Sequence, residues 1–168
     1  MAGYATTKRV DISVAGIKVA YAFETVKGTR PTGDWTHIPG IKNIPSMNEQ
    51  PGMIDTTTLD ETESRVGVPD LKALPNATNF TANWTNELIN QWADVMSKYD
   101  TAKESGLQMW VTIVVPQFDK AFYFTAIPSP LDLPAVQVGS AAEIDIYITP
   151  TSSRQLGEKP TSIVAYEP

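Results

Sequence analysis

Few residues in this chain are of the types that do chemistry, and their spacing is informative mainly in what it excludes. His37 is the single histidine and there is no cysteine. A two-histidine or thiolate metal centre is therefore outside the chain's means, as is thiol catalysis. A serine, histidine and carboxylate could still converge in the fold, but no Gly-x-Ser-x-Gly elbow is present. His37 falls in an irregular stretch and reads as a loop histidine with a satisfied hydrogen bond. The carboxylates Asp55, Asp60, Glu61 and Glu63 invite comparison with a calcium loop, which wants Asp or Asn at positions 1, 3 and 5 and Gly at 6. Counting from Asp55 places Thr57, Leu59 and Asp60 there, so the cluster reads as a solvated acidic turn. Three Asn-x-Thr triplets start at Asn76, Asn79 and Asn83. They read as the polar face of one strand. No glycine-rich phosphate loop occurs, and no cofactor is expected. The chain is read as a non-enzyme.

The elements around these residues are mostly β. The chain has 168 residues, 42% hydrophobic and 19% charged, with 13 prolines and 10 glycines, which suits one domain spanning 1–168 with a buried core. Its formal charge is −6, the wrong sign for a protein that grips nucleic acid through phosphates. No apolar run approaches the ~20 residues that span a bilayer, and the N-terminal residues lack the apolar core of a secretory signal. No membrane association is expected.

Alternation of period two marks strands at Val10–Val14, Ile17–Phe23, Asn79–Thr85, Leu107–Val115, Ala121–Ile127 and Ala142–Thr149, with a short one at Ser162–Tyr166. Apolar parity flips across Ala15-Gly16, which predicts a tight hairpin there, or a bulge. Met53–Leu59 reads as a strand, and Val66–Leu71 as a turn-rich link. One helix is predicted over about 86–104, from Leu88, Ile89, Trp92, Val95, Met96 and Tyr99 on one 3.6-residue stripe, with Thr85 or Asn86 as cap and Gly106 as stop. About 24–52 is a Pro/Gly-rich arm dotted with Trp35, Ile38, Ile41, Ile44 and Met47. Those side chains would be a liability in water, which predicts that the arm lies on another subunit. In the Ala142–Thr149 strand the isoleucines need the core, so Glu143 and Asp145 must point the other way.

The ordered set of stretches resembles the major tail tube proteins of long-tailed bacteriophages, especially siphophages of Gram-positive hosts. The resemblance is carried by Lys18-Val-Ala-Tyr-Ala-Phe, by Ile38-Pro-Gly-Ile-Lys-Asn-Ile-Pro-Ser and by Pro51-Gly-Met-Ile-Asp-Thr-Thr-Thr-Leu-Asp. Val68-Pro-Asp-Leu-Lys, Phe80-Thr-Ala-Asn-Trp-Thr and the strands after the helix continue it; Asp70 departs from the glycine that relatives often carry. The resemblance implies an antiparallel β-sandwich or barrel with one flanking helix, assembled as hexameric rings stacked into a hollow tube. It also implies a virion tail built in the host cytoplasm, with tape-measure, tail terminator and tail-tip proteins as partners. Double-stranded DNA would pass without sticking, and Glu143 and Asp145 are then candidates to face the lumen. Trp35, Ile38, Ile41, Ile44 and Met47 become candidates for contacts between rings. Two other readings stay open: a ring-forming tube protein of a secretion or contractile injection apparatus, and a carbohydrate-binding β-sandwich.

Overall fold

The computed structural model describes residues 15–48, 52–69 and 77–168. The alternating residues 10–14, Asn76 and Asp70 lie outside the described residues. The main sheet is built from β1 (Lys18–Phe23), β2 (Asp34–His37), β3 (Ile41–Asn43), β6 (Thr78–Asn83), β7 (Met109–Val114), β8 (Lys120–Pro128), β9 (Glu143–Pro150), β10 (Gln155–Glu158) and β11 (Ser162–Val164). Its order is β11-β2-β1-β7-β8-β9-β6-β3, with β10 also on β8. Pairings are antiparallel except β11 on β2, which is parallel. The sheet curls into an open half-barrel, which matches the expected mainly β fold with one helix. A separate two-stranded ribbon, β4 (Met53–Asp55) with β5 (Gly67–Pro69), pairs only with itself among the described residues.

Alternation decides which face each strand buries. Val19 and Tyr21 of β1, Phe80 and Ala82 of β6, Met109, Val111 and Ile113 of β7, Phe124 and Ala126 of β8, and Ile144, Ile146 and Ile148 of β9 make one apolar layer. The single helix α1 (Asn86–Glu104) lies against it through Leu88, Trp92 and Val95. Thr85 caps α1, its Oγ1 accepting from Leu88 N at 3.2 Å, and Gly106 closes the helix at a φ of +71°, a conformation glycine takes without strain. Of the two candidate caps it is therefore Thr85 that serves, two residues beyond the end of β6, so the strand stops short of the Thr85 at which the alternation ended it. Ile89 is also displaced from the expected stripe and sits exposed. Gln91 takes a buried place instead, its Nε2 donating to the His37 carbonyl at 2.8 Å.

The arm expectation requires correction. Its residues form β2 and β3, and Trp35 and Ile38 are each only 1% exposed within one chain. Trp35 belongs to a second cluster on the opposite sheet face, with Ala20, Ala22, Trp110, Ala121 and Tyr123. Its ring lies 5.4 Å from that of Tyr123, and Arg30 stacks over Tyr123 at 4.2 Å. Their burial leaves these two side chains in no need of cover from a second subunit. Bonded to this cluster is a buried acid, Glu24, which accepts from Trp110 Nε1 at 2.8 Å and Gly28 N at 2.9 Å.

Two outcomes follow from this packing. Trp92→Ala costs about 3–5 kcal/mol, because it empties a large buried site and strands the Ser129 carbonyl that Trp92 Nε1 reaches at 2.7 Å; chemical denaturation measures it, and a loss under about 1 kcal/mol contradicts the packing. Glu24→Leu leaves two donors without their acceptor and costs about 1–3 kcal/mol by the same measurement. A neutral result there would place Glu24 in solvent.

Candidate functional site

Two surfaces stand out. The first is the polar face shared by β6 and β9. Pairing sets Thr81 opposite Asp145, Asn83 opposite Glu143 and Asn79 opposite Tyr147. All six point away from the layer that buries Ile144, Ile146 and Ile148, so Glu143 and Asp145 have the outward orientation that alternation required. Thr81 Oγ1 donates to Asp145 Oδ1 at 3.0 Å, and the Lys42 ammonium from β3 pairs with Glu143. Beside them runs the Pro-rich connection 129–142, tied to β9 where Ser129 N donates to the Tyr147 carbonyl at 3.1 Å. It encloses an open concavity of about 410 Å³ lined by Thr81, Pro130, Asp132, Glu143, Asp145 and Tyr147. Three carboxylates against one ammonium give this face a negative potential.

The second surface is the β4–β5 ribbon. Met53, Ile54, Leu59, Val66 and Val68 are all exposed on the ribbon, Leu59 fully so at its apex. The acidic turn predicted from sequence is this apex. Asp55 accepts from Thr57 N at 2.9 Å and Thr57 Oγ1 at 2.5 Å, and Glu61 accepts from Glu63 N at 2.9 Å. These bonds hold both carboxyls below their ordinary range, the Thr57 hydroxyl leading for Asp55 and the Glu63 amide for Glu61. No group of three acidic or histidine side chains among the described residues has the geometry of a metal site.

The remaining arm residues lie on the main sheet. Ile41 pairs opposite Ala82, while Ile44 and Met47 are half-buried against the core. Ile44 and Met47 line an apolar groove of about 240 Å³ with Ile113, Val115, Phe122 and Arg154. Arg154 Nη2 donates to the Met47 carbonyl at 2.6 Å and pins the segment there. His37 ends β2, and burial, with Lys18 nearby, lowers its pKa. The five arm residues chosen from sequence are thus divided between the protomer core and the groove. The exposed ribbon, which sequence reading treated as one strand and a link, was missed as a surface. Its signal was the repeat of apolar residues at Met53, Ile54, Val66 and Val68 around an acidic turn.

No family model matches the chain, and no curated protein matches it in sequence. Its fold does match a chain in the cryo-EM structure of the anti-feeding prophage baseplate, six-fold symmetrised, with a TM-score of 0.61 and 12% identity over 91% of this chain and 97% of that one. The likeness runs through nearly all of both chains, so the described architecture is that of a component found in this prophage baseplate structure.

Proposed function

We propose that this chain is a structural subunit of a bacteriophage tail or tail-derived injection particle, forming six-membered rings that stack into a hollow tube through which the genome or cargo passes. The observation that carries this reading is the fold likeness to a chain of a six-fold symmetrised prophage baseplate across 91% of the residues. Charge and surface agree with it. A formal charge of −6 suits a wall that phosphates must slide past, and the exposed ribbon suits a neighbouring subunit. The sheet ends in β3 and β11, and closing a ring of copies edge to edge would remove such edges from solvent. The prophage likeness favours the injection-particle form as a second reading of the same assembly. In either form the subunit is structural, carries no cofactor, resides in the particle's tail and meets other tail proteins at the ends of the tube.

Electron microscopy of the purified chain tests the assembly. Wild-type protein gives six-fold rings and tubes. Replacing Thr57–Ser64 by Asn-Gly shortens the ribbon and leaves rings that do not stack; a strict monomer for the wild type would falsify the reading, and one that shifts on adding glycans would point to a sugar-binding module.

In this reading Glu143 and Asp145 line the channel, repeated around the axis. Glu143→Lys with Asp145→Lys leaves stability within about 0.5 kcal/mol, since surface charges and the exposed Lys42–Glu143 pair contribute little. Particles carrying both substitutions release their genome more slowly, most of all at low ionic strength, where the Debye length reaches ~30 Å. Normal tails with release unchanged at every salt concentration move these carboxylates to the outer wall.

A further inference from the structure

Strand β9 uses one of its edges only in part. On one side it pairs with β6 from Glu143 to Ile148, and on the other it meets β8 only from Ile148 to Pro150. Successive residues of an antiparallel strand turn their N–H and C=O groups to opposite edges. The Ala142 carbonyl accepts from Trp84 N at 3.1 Å on the β6 side, and the Tyr147 carbonyl accepts from Ser129 N at 3.1 Å on the other. Parity therefore turns the amides and carbonyls of Glu143 and Asp145 to the second edge. No hydrogen bond among the described residues reaches them there. A row of unpaired backbone groups is a template for one more strand.

The concavity of about 410 Å³ lies between this stretch of β9 and the connection, where Pro130, Leu133 and Pro134 face Glu143, Ile144 and Asp145. That volume falls in the roughly 300–1,000 Å³ of ligand sites and has room for a few residues of extended chain. Its charge is one-sided. Glu143 is paired with Lys42, but Asp145 accepts only the neutral Thr81 hydroxyl at 3.0 Å, and Asp132 accepts only the Leu133 amide at 2.7 Å. Opposite charges set directly across a strand pair stabilise it, and like charges oppose it. None of the described strands of this chain carries basic residues at alternate positions, so a second copy does not supply the complement from them.

We infer that an extended segment of a different protein adds to β9 along Glu143–Asp145, with lysine or arginine at alternate positions facing Glu143, Asp145 and Asp132 and an apolar residue between them turned toward Ile144. Main-chain hydrogen bonds to the open edge hold the segment, and the carboxylates select its sequence. The inference goes beyond the ring reading, because the edge is open within one chain whether this face lines a channel or an outer wall.

The probe is a dye-labelled pentapeptide of alternating lysine and valine, added to the full-length chain. Hydrogen exchange at the Glu143 and Asp145 amides, fast in the chain alone, slows by about tenfold or more at saturating peptide. Exchange at Ile144 and Ile146, whose amides already face β6, does not change. The peptide methylated at its edge-facing backbone nitrogens binds about tenfold more weakly or worse, and so does a peptide with glutamate in place of lysine. Asp132→Asn with Asp145→Asn weakens the original peptide by a similar factor while circular dichroism stays that of the wild type. Binding that leaves both amides exchanging freely, equal binding of the methylated or the glutamate peptide, or no binding at about 1 mM overturns the inference. Slow exchange at both amides in the chain alone also overturns it, because a second copy then holds the edge. Rings seen by microscopy without peptide binding sink this inference and leave the ring reading standing; peptide binding by a chain that never forms rings does the reverse.

Discussion

Everything in this molecule depends on one layer of side chains that is shared between a curled sheet and a single helix. Isoleucines 144, 146 and 148 on β9, Phe80 on β6 and Phe124 on β8 meet Leu88, Trp92 and Val95 of α1 there, all close to fully buried. Alternation along each strand then leaves no choice about the opposite face. Once Ile144 and Ile146 are inside, Glu143 and Asp145 are outside, and a one-residue slip in the pairing of β6 with β9 would bury carboxylates. The orientation of the polar surface is thus a consequence of core packing.

The two sheet faces are treated differently along their width. Over β1, β7 and β8 the second face is also covered, by Trp35, Trp110, Tyr123 and the stacked Arg30. There Glu24 supplies the acceptor that the indole N–H and the Gly28 amide need once water is excluded. Over β6 and β9 the same face stays polar and wet. The sheet therefore has a sealed half, which gives rigidity, and an open negative half, which in the proposed tube would face the channel.

How much of this was legible in the sequence depended on whether a segment's signal was local. The helix was read with its bounds because 19 residues of one period, a Thr cap and a glycine stop all agree. The strands β7, β8 and β9 were read within one or two residues for the same reason. β2 and β3 were not, since 4 and 3 residues between prolines and glycines carry no period. Their places come from pairing with distant strands and from the burial of Trp35. β10 was missed likewise, as Gln155-Leu-Gly-Glu does not alternate; there Gly157 makes room for Arg30, whose Nη1 would lie 2.2 Å from an added Cβ. On the candidate surfaces, the outward direction of Glu143 and Asp145 followed from alternation alone. Five apolar residues in the arm were legible as a liability, but which of them the chain would bury itself depended on contacts that no local pattern records.

The proposed function requires that this fold repeat around a six-fold axis. Native mass spectrometry of the intact 18.4 kDa chain tests it most directly. The account predicts ions at six subunits and at multiples of six, with monomer only on dilution. A spectrum of monomers, or of dimers that never reach six at any concentration, would contradict it.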